Sequence, residues 1–135
     1  MAKQIGIMVD IDGTLAHMVD RSPYDPSKYH TDIVDEAIRR IVNLYPDKVI
    51  IVSGRDDTYA DATESWLMLN GIEYDEIFMR PAHDKREDSV VKLELYKTYI
   101  EPNYDIEFVL DDRNRVVKMW RENGLKCLQV AEGDF

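Results

Sequence analysis

The sequence predicts an α/β domain, a mostly parallel sheet flanked by helices, on three observations. Its apolar runs are short, rich in isoleucine and valine, and apolar at successive positions rather than alternate ones. That is the pattern of strands buried on both faces, as in a parallel sheet. These runs alternate strictly with stretches of helical periodicity, the order that builds strand–helix–strand units. Three of them also end in polar groups of a chemical kind: Asp10 and Asp12, Ser53 and Arg55, and Asp111 and Asp112. Right-handed connections put the carboxyl ends of parallel strands along one edge, so these groups are expected to meet there.

The first strand lies within Ile5 to Leu15, IGIMVDIDGTL, and stops at its aspartates and Gly13. The connection after Thr14, AHMVDRSPYDPSKYH, is long and polar, and Pro23 and Pro26 exclude a helix running through it. Thr31 to Tyr45 reads as a helix capped by Thr31 or Asp32, with Val34, Ala37, Ile38, Ile41, Val42 and Tyr45 as its apolar face. Pro46-Asp47 ends it, and Lys48 to Val52 is the second strand. Asp56 and Asp57 then cap a helix that carries Ala62, Trp66, Leu67 and Leu69 inward and closes at Asn70-Gly71. Glu76 to Met79 is a short third strand. The charged connection RPAHDKRED leads into a helix from about Ser89 to Ile100. Ile106 to Leu110 is the fourth strand, a helix bearing Val116, Val117 and Trp120 follows, and Lys126 to Val130 is the last strand.

At 135 residues the chain is expected to be a single domain, 1–135, with a real core. No apolar run approaches the roughly 20 residues of a membrane span, and acid arrives too early in MAKQIGIMVDID for a secretory signal. Cys127 is the only cysteine and sits in an apolar stretch, which predicts a buried, inert thiol. Together these features predict a soluble cytoplasmic protein with no membrane partner. The net charge of −10 argues against a general nucleic-acid binder, which is usually basic. An acidic chain can still act on one phosphate if it gathers cations and a metal locally.

Three bland readings of the first acid pair compete with a chemical one. A hairpin turn at Asp12-Gly13 does not explain why two other strands end in similar groups. A calcium loop needs glycine at its sixth position and glutamate at its twelfth, where this chain has Leu15 and Arg21. A merely solvated pair predicts nothing downstream. A phosphoryl-transfer site accounts for the whole set. Asp10 is the expected nucleophile, and Asp12 the group that protonates the leaving alkoxide and then takes a proton from water. Ser53 and Lys92 are expected to hold phosphate oxygens, although a lone helix lysine is most often solvated. Asp10 and one of the paired acids, Asp111 favoured over Asp112, would hold a metal. So sparse a carboxylate set suits magnesium.

DIDGT at 10–14, Ser53 in VSGR, Lys92 in VVKLE and LDD at 110–112 resemble the four motifs of the haloacid dehalogenase (HAD) superfamily. A closer resemblance covers nearly the whole chain. DIDGTLAHM with RSPYD, VIIVSGRDD, REDSVVKLE, and LDDRNRVVKMWRENGL continuing into QVAEGDF are similar to the 3′-phosphatase domain of bacteriophage polynucleotide kinase/phosphatases. The resemblance implies a Rossmann-like HAD domain with a minimal cap or none. It also implies magnesium-dependent removal of 3′-phosphates through an aspartyl-phosphate, on nucleic-acid ends or nucleotides. It places catalytic roles on Asp10, Asp12 and Lys92 and metal binding on Asp10, the Asp12 backbone carbonyl, Asp111 and Asp112. Thr14, Arg21, Ser53, Gly54, Arg55 and Asp88 fall to substrate and phosphate binding, with Arg21 and Arg55 facing the substrate and Asp88 supporting the lysine or the metal shell. None of the six glycines starts a phosphate-binding G-x-x-x-x-G-K-[ST] loop, so a separate kinase or ligase partner is expected. The segment after SGR, which can shape the substrate entrance, is shorter than in the phage enzyme, and the net charge of −10 favours the alternative, a nucleotidase or another small-molecule phosphatase. A catalytically dead binding module predicts a missing catalytic residue, and none is missing.

Overall fold

The structure, a computed structural model, describes residues 2–135. β1 (Gln4–Val9), β4 (Lys48–Asp56), β5 (Glu76–Arg80), β6 (Tyr104–Asp111) and β7 (Cys127–Gln129) form one sheet in the order β5-β4-β1-β6-β7, parallel throughout. From β1 the chain winds outward through β4 to β5, then returns to the other side of β1 for β6 and β7. The order therefore reverses beside β1, and the crevice beyond the ends of β1 and β6 is the topological switch point where such sheets bind ligands.

Side chains along β1 alternate between two cores. Ile7 and Val9 pack with Ile51, Ile38, Val42, Trp66 and Leu67, from β4 and from α1 (Glu36–Leu44) and α2 (Ala60–Leu69). Met8 packs the other way, with Ile50, Val52, Val91, Leu95, Val117 and Trp120, against α3 (Asp88–Leu95) and α4 (Asn114–Glu122). Both faces are thus buried, as the unbroken apolar runs require. α3 continues through a wider π turn, Tyr96–Ile100, so the predicted helix to Ile100 is helical throughout but not α to its end. The doubly covered parallel sheet is the predicted α/β class, and among the described residues no separate cap domain is present. The chain between β1 and α1 carries instead a small antiparallel pair, β2 (Ala16–His17) with β3 (Ile33–Val34), and a 3₁₀ turn, Pro26–Thr31. Pro26 sits at the first position of that turn, where its missing N–H costs nothing.

The second predicted element differs most. Its helix begins at Glu36, and its cap is Asp35, whose carboxylate accepts from the Ile38 N–H at 3.0 Å. Thr31 and Asp32 lie outside it, and Val34 is in β3. Ile38 and Val42 are buried, whereas Ala37 and Ile41 are exposed, because the shorter helix presents a narrower stripe to the sheet. In α2 the inward positions are Thr63, Trp66 and Leu67; Ala62 and Leu69 point outward, Leu69 at 80% exposure. Asp56 caps the 3₁₀ turn Asp57–Tyr59 rather than α2 itself.

Candidate active site

Asp10 is the first residue beyond β1, buried at the floor of the switch-point crevice, with its N–H bonded to the Leu110 carbonyl of β6. Two donors fix its carboxylate. Lys92 Nζ donates to Oδ1 at 2.8 Å, and Thr14 Oγ1 donates to Oδ2 at 3.0 Å. Thr14 is fully buried, so its hydroxyl orients the Asp10 carboxylate. Gly13 turns the chain between them at φ +86°, a conformation other residues resist, and a Cβ there would lie 2.1 Å from Asp112 Oδ2. Two independent reasons therefore require glycine at the turn.

Lys92, on α3, is buried and not a solvated helix lysine: its ammonium also donates to Asp111 Oδ2 at 3.1 Å. Burial works against that charge, but Asp10 and Asp111 outweigh it and hold the ammonium above its ordinary pKa. Asp10, Asp111 and Asp112 offer oxygens that all lie within 4.8 Å of one another. Three carboxylates face one ammonium. Burial first, then the like charge of Asp111, pushes the Asp10 carboxyl well above the usual carboxylate range. Burial also raises Asp112. That surplus of negative charge, walled off from water, is what a divalent cation would relieve, so the residues fit a metal. Within the pair, Asp111 is already spent: Oδ1 accepts from the Asp112 N–H at 2.9 Å, and Oδ2 accepts from Lys92 and from Trp120 Nε1 at 3.2 Å. Asp112 carries fewer such bonds, and all three acids, Asp111 included, offer an oxygen to the cluster.

Asp12 stands apart from this cluster. Arg55 grips it with two bonds, Nε to Oδ2 at 2.9 Å and Nη2 to Oδ1 at 2.7 Å, and Arg21 Nη2 adds a third at 3.2 Å. Burial would raise the Asp12 carboxyl, but these guanidinium bonds prevail and hold it below its ordinary value. Both arginines, expected to face the substrate, are held among carboxylates of the chain itself. Their side chains are 1% and 2% exposed, and both turn to carboxylates. The reason is Asp32, which the sequence offered only as a helix cap. Its fully buried carboxylate accepts Arg21 Nε at 2.7 Å, Arg21 Nη2 at 2.8 Å and Arg55 Nη2 at 3.1 Å. Tyr29 lies under both guanidinium groups, 3.7 Å from Arg55 and 4.6 Å from Arg21, and Thr63 accepts from Arg55 Nη1 at 3.2 Å. Asp32, Tyr29 and Thr63 are the site residues sequence reasoning missed. The only signal for Asp32 was a second acid three positions before the true cap.

Ser53 and Gly54 lie at the end of β4, opposite Asp10. The buried Ser53 hydroxyl accepts from the Arg55 N–H at 3.1 Å, which leaves its proton free to donate. Asp88, at the start of α3, reaches neither Lys92 nor the carboxylate cluster. Its Oδ1 is paired with Arg80, and Oδ2 accepts from Arg113 Nη1 at 2.9 Å. Arg80 Nε in turn donates to the Gly54 carbonyl at 2.8 Å. Asp88 therefore ties two cations to the turn at Gly54, and acts on Lys92 only as a nearby negative charge. A groove of about 790 Å3 beside α2, lined by Asp61, Glu64, Glu73 and Tyr74, holds none of these residues.

Residues 4–135 match the family described as the polynucleotide kinase PNKP phosphatase domain. The chain is similar to a bifunctional polynucleotide kinase/RNA ligase of Autographa californica nuclear polyhedrosis virus, 30% identical over 123 residues. That alignment covers 86% of this chain and 18% of the viral protein. Two solved structures of the Pnkp1/Rnl/Hen1 complex, one described as an RNA repair complex, contain chains 39% identical to this one over 98% of its length. They superpose with TM-scores of 0.91 and 0.92 and are covered over 44% and 47% of their own lengths. The chain thus spans about a fifth of the viral relative and under half of the solved chains. With a family match over residues 4–135, and with the acids, lysine and serine of that chemistry gathered at one strand edge, this chain belongs to the family of polynucleotide kinase phosphatase domains.

Proposed function

We propose that the chain is a magnesium-dependent phosphomonoesterase that removes 3′-phosphates from nucleic-acid ends through an aspartyl-phosphate on Asp10. The observation that carries this is the buried Asp10 carboxylate, oriented by Thr14 and Lys92 inside a cluster with more negative charge than its one ammonium can balance. Magnesium held by Asp10, Asp112 and the Asp12 carbonyl, with Asp111 behind them, would supply the charge that a phosphate dianion needs to approach a carboxylate.

The chain's own groups perform the rest. Asp10 Oδ forms a bond to phosphorus while the bond from phosphorus to the ribose 3′ oxygen breaks. Lys92 Nζ and the Ser53 hydroxyl stabilise the equatorial oxygens. Asp12 delivers a proton to the leaving alkoxide, then removes one from the water that hydrolyses the acyl phosphate. In the free site Asp12 is ionised under the pull of Arg55 and Arg21, the state needed for the second half. A phosphate dianion arriving beside it raises its proton affinity, which readies the first half. The names of the relatives couple kinase and ligase to repair, so a kinase or ligase working on the same ends fits this role as a partner.

Phosphate release measured side by side on an oligonucleotide 3′-phosphate, a nucleoside 3′-monophosphate and a nucleoside 5′-monophosphate tests the reading, with Asp10→Asn as control. Preference for the 3′-phosphates, lost in Asp10→Asn and on chelation of magnesium, is expected. Preference for the 5′-monophosphate would assign the chain to nucleotidases instead.

A further inference from the structure

We infer that Tyr24 is a stacking platform for the base of the terminal nucleotide, an inference that rests on the 3′-phosphatase reading above. Tyr24 is 93% exposed, the most exposed large apolar side chain among the described residues. An exposed aromatic ring offers a flat apolar face on which another ring can stack. The ring is nevertheless not on a loose segment. The Asp25 N–H bonds to the Ser22 carbonyl at 3.1 Å, the Tyr24 N–H donates to Ser22 Oγ at 3.2 Å, and Asp25 caps the following 3₁₀ turn through Ser27. The same Ser22 carbonyl accepts Arg21 Nη1 at 3.2 Å. Arg21 is bolted to Asp12 and Asp32, so the turn that displays Tyr24 is fastened to the proton-transfer residue. Tyr24 is three positions from Arg21, a span of at most about 10 Å, comparable to the distance from a terminal phosphate to its own base.

Charge explains why a ring would stand there. The chain carries −10, and Asp20 and Asp25 flank this turn. Such a surface repels the phosphates behind the terminal one, so the backbone contacts that usually supply affinity are weak here. Base–aromatic stacking needs no positive charge and tolerates every base, which suits an enzyme that must accept ends of any sequence. Tyr24 is therefore a binding residue that touches the base, separate from the groups that act on phosphorus.

A two-by-two kinetic comparison tests this. Wild type and Tyr24→Ala are assayed on an oligonucleotide 3′-phosphate and on the same oligonucleotide whose last nucleotide is abasic. Removing the ring is expected to raise KM on the order of tenfold, as is removing the base. The two losses together should cost no more than either alone, because one contact is lost in both. Tyr24→Phe should retain wild-type KM, and equal melting temperatures exclude misfolding. If Tyr24→Ala matches wild type on the base-bearing end, or if its loss adds fully to that of the abasic end, the proposal is overturned. If wild type releases no phosphate from the oligonucleotide, the 3′-phosphatase reading fails and takes this inference with it.

Discussion

Replacing Lys92 by methionine would leave Asp10 and Asp111 facing each other in a buried space with no cation between them. Breaking a buried ion pair by removing one partner costs about 3–5 kcal/mol, because the other charge is stranded. We expect Lys92→Met to abolish turnover and to lower the urea midpoint substantially. Asp10→Asn in the same chain should recover part of the stability and none of the activity. An unchanged midpoint in Lys92→Met would show that the carboxylates simply protonate at little expense. Asp12 is a different case, since it lies outside the carboxylate cluster and its partners are the arginines. Asp12→Ala is expected to lose turnover while keeping its stabilisation by magnesium, read as a rise in melting temperature. Retention of most activity would remove Asp12 from the acid–base role. The contrast between what could be read in the sequence and what could not lies at this scale. Asp10, Ser53 and Asp111 were legible as strand-end groups bound for one sheet edge without any knowledge of packing, whereas Lys92, on α3, was singled out by the family motif and not by its local pattern. Asp32 was not, because its partners Arg21 and Arg55 lie 11 and 23 residues away and meet it only through the β2–β3 pair. No local pattern encodes that closure.

At the scale of elements, the ends of the parallel strands matter more than their middles. The turn after β6 is clamped from behind by the chain that follows β7. Gln129 Nε2 donates to the Asp112 carbonyl at 2.9 Å, and the Asn114 N–H bonds to the Gly133 carbonyl at 2.8 Å. A Cβ on Gly133 would lie 2.0 Å from the Asp112 backbone oxygen. Gly133→Ala must therefore shift the Asp111-Asp112 turn, at a cost of about 1–3 kcal/mol for the overpacking. Its signature would be weaker magnesium binding and lower activity together. Gly124 offers the control: its φ of +82° strains any other residue, yet nothing lies within 4 Å of an added Cβ. Gly124→Ala should cost about 1–2 kcal/mol in stability and leave magnesium affinity alone. Equal effects of the two substitutions on magnesium affinity would mean that the clamp does not position the acids. Helix boundaries were the least legible feature here. Thr31, Asp32 and Asp35 are all competent caps, and the choice of Asp35 depends on the β3 pairing, not on local propensity.

The whole molecule carries the electrostatic consequence as a dependence of stability on pH. Asp10 and Asp112 have carboxyls raised above their unfolded value of 3.8, so without a cation the fold holds protons that the unfolded chain releases. Stability contributed by those sites falls as pH rises from about 4 toward neutrality. Asp12 works oppositely: held below its ordinary value, it stabilises the fold above about pH 4 and loses that contribution in stronger acid. A bound divalent cation removes the first penalty and leaves the second untouched. Magnesium should accordingly raise the melting temperature more at about pH 7 than at about pH 4.5. An equal shift at both values would mean that the ion binds away from the carboxylate cluster. The α/β class itself was legible in full, because unbroken apolar runs, strict alternation and a sheet covered on both faces are one physical fact seen three ways.

The bond between Asp10 and Lys92 spans 82 residues, and Asp111 is a further 19 beyond the lysine. During synthesis, then, Asp10 leaves the ribosome long before Lys92 and the acidic neighbours Asp111 and Asp112. Only after Gln129 emerges is the Asp112 carbonyl held. A nascent chain can build β1 and β4 early, but the carboxylate cluster is complete only once β6 and β7 have followed. The cluster is thus assembled by contacts that are among the most distant in the sequence, and it forms only with the sheet itself.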